Sequence, residues 1–263
     1  MWKARITPPI MWPPMLLSNF NKRARQAGQY VLHILFPRVC FGCGRDLKWN
    51  AQTPLCPACE NGLVLPGPLI CQRCGVVLKS GGAHCFQCRG SKAEKYKCKI
   101  IRSACNFDEF SRGLVYALKY QGADYVAPYM GGVMAHRFGM LSDLSGVNLV
   151  IPVPLFKKRQ NRRGYNQSEL LARAFCAKTG LALDATSLVR VRDTGSQTKL
   201  GREARVENMA GAFEVKNPSA VKGKTVLLID DVTTTGSTLE ACAQALRLAG
   251  TKRVLAYTFA REN

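Results

Sequence analysis

A run of hydroxyl-bearing and small residues follows two adjacent carboxylates near the C-terminal end of the chain. The acids are Asp230 and Asp231. The run, called here the threonine-rich loop, comprises Thr233, Thr234, Thr235, Gly236, Ser237 and Thr238. Small residues let an anion approach the backbone closely, and hydroxyl groups add hydrogen-bond donors. The acids would repel that anion, but carboxylates accept hydrogen bonds from a vicinal diol. The pattern therefore predicts a site for a ribose 5-phosphate group.

The elements on either side of this loop would hold it at the edge of a sheet. Residues 226–229 are a continuous apolar run, which predicts a strand buried on both faces of a parallel sheet. Apolar residues at helical spacing follow over 239–249, and Gly250 can end that helix. Ligands of open α/β sheets lie at the C-terminal ends of strands, and helix N-termini bind anions. The alternative is that the acids merely cap the helix.

Eight of the twelve cysteines form four CxxC pairs. Two such pairs supply four thiolates, which is the ligand set of a closed structural zinc site. We expect two zinc ions, with the pairs combined in sequence order. A cross-brace, which joins the first pair to the third and the second to the fourth, uses the same residues. The expected ligands are Cys40, Cys43, Cys56, Cys59, Cys71, Cys74, Cys85 and Cys88.

A cationic segment follows another expected strand, over residues 148–153. It contains Lys157, Lys158, Arg159, Arg162 and Arg163, with no acid before Glu169. At the C-terminal end of a strand, these cations could bind a second anion beside the threonine-rich loop, such as pyrophosphate. The alternatives are a solvated basic loop and a nucleic-acid contact. The net charge of +21 over 263 residues favours polyanionic partners.

Three parts of the chain are distinguished by composition. Residues 1–38 are a basic extension whose last half, 18–36, predicts an amphipathic helix that packs on the next part of the chain, after 17 disordered residues. Residues 39–97 hold the cysteine pairs, and residues 98–263 predict an α/β domain with a parallel sheet. The polar residues 192–213 predict a lid or a surface loop. No transmembrane anchor or signal peptide is expected, so the predicted location is cytoplasmic.

The remaining elements of the predicted domain follow from apolar periodicity and stop signals. The expected strands are 100–107, 183–191 and 254–259, the last completing the sheet. The expected helices are 111–120, 125–140 and 167–178.

The chain resembles the ComF family, whose members join a double zinc ribbon to a type I phosphoribosyltransferase-like domain. The resemblance covers about residues 32–261. It rests on the four CxxC pairs, ALKYQG, VIPVPLFKKRQNRRGYNQSELLAR, RVRDTGSQTKLGREARVENMAGAF, VLLIDDVTTTGSTLEAC and TFAR, in that order. Tyr165 and Gly201 depart from the residues usual at their positions, and neither lies in the threonine-rich loop.

The resemblance implies roles for particular residues. Asp230 and Asp231 would hold the ribose hydroxyls of phosphoribosyl pyrophosphate, and residues 233–238 would hold its 5-phosphate. Mg²⁺ would arrive with that substrate. Lys119, Arg159 and Arg163 would meet the pyrophosphate leaving group.

The resemblance also implies an association with competence, the uptake and processing of DNA. Three classes of function follow: a phosphoribosyltransferase, a single-stranded DNA-binding factor that retains the pocket, and an adaptor that binds competence-machinery proteins through its ribbons. We favour a protein that binds the phosphoribosyl donor and serves DNA uptake. The acceptor base or amine and the retention of catalysis are not determined by any motif.

Overall fold

A parallel sheet of four strands forms the centre of the C-terminal part of the chain. The computed structural model describes residues 30–35, 37–79, 81–90, 96–193 and 211–262. Along the sheet the strand order is β1-β6-β5-β2. These strands are β1 (Cys98–Asn106), β2 (Leu149–Pro152), β5 (Thr225–Thr233) and β6 (Arg253–Arg261). The predicted α/β fold class with a parallel sheet is confirmed.

Two of the predicted strands extend beyond their predicted bounds. Strand β5 continues through both acids to Thr233, because it pairs with β6 along its whole length. The predicted last strand is β6, which lies inside the sheet between β1 and β5. Its apolar residues alternate between two cores, with Tyr257 and Phe259 in one and Val254 and Ala256 in the other. An interior strand of this kind needs apolar residues on both faces.

Helices cover both faces of the sheet. The first core contains residues of α2 (Glu109–Tyr120), α3 (Ala127–Phe138) and α5 (Gln167–Thr179), and the second contains residues of α7 (Ser237–Leu248). Helix α2 begins two residues before the predicted start, since Asp108 is the N-cap and Ser111 completes a capping box with it. Helix α5 ends at Gly180, which adopts a left-handed conformation.

The predicted strand over 183–191 is only partly formed. Strand β3 (Leu188–Arg190) pairs antiparallel with β4 (Phe213–Val215), and Leu183 makes a single bridge to Val150 of the main sheet. Between them, the Asp184 carboxylate accepts hydrogen bonds from the backbone N–H groups of Thr186 and Ser187. This turn interrupts the strand, because an aspartate side chain offers the backbone an alternative to the ladder. A short helix, α6 (Pro218–Val221), follows β4.

The cationic segment forms a short helix, α4 (Lys157–Arg163), that ends at Gly164. Lys157, Lys158 and Arg162 are exposed on it. Lysine, arginine and glutamine favour helices, and Gly164 has the positive φ of 87° that ends one.

The cysteine-rich part packs against the N-terminal half of α2. A Cβ atom at Gly113 would lie 1.7 Å from the carbonyl oxygen of Phe41, so only glycine permits this approach. Helix α1 (Pro57–Asn61) belongs to this part. Bridges between Val39 and Asp46, and between Ile70 and Val77, form the two small ribbons.

Part of the predicted N-terminal helix is described. Residues 30–35 are helical, but Ile34 and Leu35 are each more than 60% exposed, which differs from the packing expected for this helix. The ring of Tyr30 does contact that of Trp49 edge-on. The first 17 residues, residues 18–29 and residue 36, and most of the predicted lid, 194–210, lie outside the described residues. Among the described residues, no helix combines the length and apolarity needed to cross a membrane.

Candidate functional site

The two acids lie at the C-terminal end of β5 and are almost fully buried. One oxygen of Asp230 accepts hydrogen bonds from the Ser168 hydroxyl at 2.6 Å and from the Asp231 backbone N–H at 2.9 Å. One oxygen of Asp231 accepts a hydrogen bond from the Val232 N–H at 2.7 Å. Both carboxylates are therefore held in fixed orientations at the edge of the sheet where ligands bind in such folds.

Lys119 joins this pair from the last turn of α2. Its Nζ lies 2.9 Å from Oδ2 of Asp231. Burial lowers the pKa of Lys119, but the charge of Asp231 and its hydrogen bond raise it by more, so the net pKa is above the ordinary value. Lys119 is therefore a cation, and it neutralises part of the acid pair's charge.

Asp230 has a perturbed acidity. Burial and the adjacent charge of Asp231 raise its pKa to about 7, while the Ser168 hydrogen bond and Lys119 act in the opposite direction. Two carboxylates that share one buried site resist simultaneous ionisation. Near neutral pH the Asp230 carboxyl group can therefore exchange a proton. Such perturbed groups concentrate at functional sites.

The threonine-rich loop leaves polar groups available around Gly236. The hydroxyl oxygen of Thr233 is buried and, among the described residues, has no hydrogen-bond partner. It lies 3.9 Å from the place where a Cβ of Gly236 would be. Gly236 is the N-cap of α7, has a φ of 78°, and supplies no side-chain cap. The first N–H groups of a helix have no intrahelical acceptor, so this loop fits an anion such as a phosphate.

Of the three cations predicted to meet the leaving group, one contacts the acids. Arg159 lies 3.3 Å from Asp193, and Arg163 donates a hydrogen bond to Gln167. In the described part of the chain neither arginine contacts the acid pair, whereas Lys119 does. These roles stay predictions for a ligand-bound state.

Ser168 is the contact that sequence reasoning missed. It is fully buried and donates to Asp230 from the first turn of α5, where Asn166 caps the helix. A serine near a helix start ordinarily suggests capping, and nothing in the sequence indicates a partner 62 positions away.

The eight predicted zinc ligands form two groups of four. Within each group, the sulfur atoms lie within 4.8 Å of one another. Cys40, Cys43, Cys56 and Cys59 form the first group, and Cys71, Cys74, Cys85 and Cys88 form the second. The grouping is the sequential one, not the cross-brace. Four thiols in such a cluster fit a tetrahedral Zn²⁺ with no open coordination position.

Metal binding requires thiolates, and the thiols within each cluster differ in acidity, since burial raises the pKa of Cys59 and of Cys85. The backbone N–H and then the guanidinium of Arg45 lower the pKa of Cys43 to about 6. In the second cluster, a hydrogen bond from Cys74 lowers the pKa of Cys88, against the effect of burial.

Comparisons with known proteins agree with this architecture. The family model of the double zinc ribbon domain matches residues 31–89, and that of the phosphoribosyl transferase domain matches residues 161–263. The DNA utilization protein YhgH of Salmonella typhimurium is 28% identical over 86% of this chain and 97% of its own length. Competence protein F of Haemophilus influenzae is 28% identical over 84% of this chain and 96% of its own.

Among solved structures, the glutamine phosphoribosylpyrophosphate amidotransferase of B. subtilis is similar over 49% of this chain and 25% of its own, at 21% identity and a TM-score of 0.33.

The fold and the two matched domains define a double zinc ribbon protein with a phosphoribosyltransferase-type α/β domain. Its relatives in DNA utilization and competence match it across nearly their whole length. The combination of these two domains with relatives named for DNA utilization and competence agrees with the resemblance to the ComF family.

Proposed function

We propose that the acid pair and the threonine-rich loop bind phosphoribosyl pyrophosphate and that the protein acts in DNA utilization. The observation that supports this most is that two buried carboxylates lie a few residues before a helix whose N-cap, Gly236, has no side chain. In this proposal the loop N–H groups and hydroxyls bind the 5-phosphate. The carboxylates of Asp230 and Asp231 accept hydrogen bonds from the 2- and 3-hydroxyls of the ribose.

The reaction available to such a site is transfer of the phosphoribosyl group. The bond between C1 of the ribose and the pyrophosphate oxygen breaks, and its electron pair leaves with pyrophosphate. A lone pair of the acceptor forms the new bond to C1 and the acceptor's proton is lost to solvent. Positive charge develops on the sugar as the bond breaks, and the nearby carboxylates stabilise it.

Lys119 has a second role in this proposal. When the ribose hydroxyls occupy the acids, its ammonium group can turn from Asp231 to the departing pyrophosphate. Mg²⁺, which would arrive with the substrate, supplies charge neutralisation on the pyrophosphate. The oxygen-rich acid pair is compatible with such a metal–substrate complex.

Calorimetric titration with phosphoribosyl pyrophosphate, with and without Mg²⁺, tests the proposal. We expect Mg²⁺-dependent binding that Asp231→Asn weakens at least tenfold. The control is Glu214→Gln, which removes an exposed carboxylate of β4 that is paired with Lys216, and its affinity should match the parent's. Absence of binding to the parent protein would contradict the proposal. Pyrophosphate release with a panel of bases and amines would then separate turnover from binding.

A second candidate function is binding of single-stranded DNA, and a particular surface favours it. Tyr116 and Tyr120 are 53% and 65% exposed on one face of α2, with ring centroids 5.1 Å apart. The guanidinium of Arg163, at the end of cationic helix α4, lies 5.5 Å from the Tyr120 ring centroid. Exposed aromatic rings beside a row of cations suit unpaired bases and their phosphates.

This aromatic and cationic surface adjoins the acid pair, because Lys119 is next to Tyr120 in the same helix turn. A strand bound there would run past the proposed donor site. The two candidate functions are therefore compatible in one molecule.

A further inference from the structure

The second cysteine cluster contacts the helix that begins in the threonine-rich loop. Arg73 lies between Cys71 and Cys74, and its Nη2 is 3.0 Å from Oε2 of Glu240, in the first turn of α7. Its Nη1 is 3.6 Å from the sulfur of Cys88. One guanidinium thus joins a predicted metal ligand to the loop's helix. The Arg73 side chain is only 10% exposed, so this ion pair is largely shielded from solvent.

Arg261 makes a second connection, to the loop itself. It is 5% exposed, and its Nη2 donates to the carbonyl oxygen of Thr234 at 3.2 Å. Its Nε and Nη1 atoms are buried and, in the described part of the chain, have no hydrogen-bond acceptor. Arg261 therefore connects the end of β6 to the backbone of the threonine-rich loop.

Backbone contacts complete the connection. The Ile101 N–H donates to the Arg73 carbonyl at 2.7 Å, and a Cβ at Gly75 would lie 2.8 Å from the Ile101 carbonyl oxygen. On the other side, Cδ1 of Ile101 would lie 3.0 Å from a Cβ of Gly236. The cysteine knuckle, β1 and the threonine-rich loop are therefore in continuous van der Waals contact.

We infer that the second cysteine cluster, when it holds its metal, positions the threonine-rich loop, and that Arg73 and Arg261 are the positioning residues. Four thiolates around one Zn²⁺ would fix the knuckle that carries Arg73 between Cys71 and Cys74, so that its guanidinium stays within reach of both Cys88 and Glu240. Without the metal no common ion holds this knuckle, and the ion pair between Arg73 and Glu240 at the start of α7 weakens. Arg261 acts on the loop directly, through its hydrogen bond to the Thr234 carbonyl oxygen. This inference concerns the order of the loop and is independent of which ligand the loop binds.

The first cluster provides a matched comparison. There Arg45 donates to the sulfur of Cys43 at 3.4 Å, so it resembles Arg73 in its contact with a thiol. Its cluster packs on the far end of α2, near Phe110 and Gly113, rather than on the threonine-rich loop. Arg45 is exposed.

Hydrogen–deuterium exchange of the full chain tests the inference without any ligand. We expect Cys85→Ser, Arg73→Gln and Arg261→Gln to speed exchange in a peptide covering 233–240 at least tenfold. Cys43→Ser and Arg45→Gln should leave that peptide unchanged. Zinc content is measured in parallel, and a peptide covering 226–230 reports whether the sheet stays folded. If Cys85→Ser unfolds the sheet, the two arginine variants decide. Unchanged exchange over 233–240 in both arginine variants, or an equal increase in the first-cluster variants, would overturn the inference.

Discussion

Nζ of Lys119 lies 2.9 Å from Oδ2 of Asp231, and this ion pair connects the end of α2 to the end of β5. The Asp231 side chain is 4% exposed and that of Lys119 is 23% exposed. The pair therefore joins two elements over 112 residues of sequence at the edge where the proposed ligand binds. It also keeps a cation next to the carboxylates, which lessens the repulsion that an incoming anion would otherwise meet.

Removal of the cation should destabilise the protein more than removal of both charges. Lys119→Met leaves Asp231 buried without its partner, and we expect a loss of about 3 kcal/mol in the free energy of unfolding. Urea denaturation of Lys119→Met, Asp231→Asn and the double variant forms a double-mutant cycle. The double variant should be more stable than the sum of the single losses predicts. Strict additivity would show that the pair has no energetic coupling.

Asp230 should make the stability of the protein depend on pH. Its raised pKa of about 7 means that the folded state retains a proton that the unfolded state loses near pH 4. The free energy of unfolding should therefore fall, through this group, as the pH rises from about 4 to about 7. Asp230→Asn removes this loss and keeps an oxygen to accept from Ser168. We expect the variant to match the parent near pH 4 and to exceed it by about 4 kcal/mol at pH 8.

Urea denaturation of the two proteins across this pH range measures the difference directly. Taking the difference cancels the pH dependence of metal binding, which both proteins share. A stability difference that stays constant across the range would contradict the raised pKa.

Zinc content should follow the two clusters independently. The parent should hold about two zinc ions per chain, and Cys43→Ser and Cys85→Ser should each lower the content by about one, since each removes a ligand from a different four-cysteine group. Plasma emission spectrometry of reduced protein provides the measurement. Zinc near zero in the reduced parent would exclude the double ribbon centres.

Gly236→Ala should weaken ligand binding by more than its loss of stability would explain. The φ of 78° costs a side chain about 1 kcal/mol, and the new methyl group meets Ile101 Cδ1 at 3.0 Å within the loop. Gly223→Ala is the matched control, because its φ is 72° but a Cβ there would meet open space. Both variants should lose comparable stability, whereas only Gly236→Ala should weaken binding of phosphoribosyl pyrophosphate by calorimetry. If both variants bound phosphoribosyl pyrophosphate with equal affinity, the result would show that the loop does not contact this ligand.

Tyr116→Ala and Tyr120→Ala should each weaken binding of single-stranded DNA by about 5- to 150-fold, because each removes a stacking surface worth about 1–3 kcal/mol. Fluorescence anisotropy with a labelled oligothymidine measures this. Tyr125→Ala removes a tyrosine that is 56% exposed outside this surface and should have no effect. Affinity that does not decrease between about 50 and 200 mM salt would contradict a phosphate contact by α4.

The sequence by itself predicted the elements whose structure depends on residues close to one another in the chain. The strand before the acids, the helix after the threonine-rich loop and the four CxxC pairs follow from apolar periodicity, turn residues and ligand spacing, and the structure contains them all. Most of the helices were predicted to within a few residues for the same reason, since each helix carries its own caps and apolar stripe.

The tertiary structure decided which of these parts meet. No local pattern could place β6 inside the sheet, exclude a cross-brace between the cysteine pairs, or bring Ser168 to Asp230 and Arg261 to Thr234. Strand order and long-range polar contacts depend on how the whole core packs, and many packings are consistent with one set of elements. The acids were recognisable from their sequence neighbours. The residues that fix their orientation and balance their charge come from α5 and α2, and only folding brings these helices to the acids.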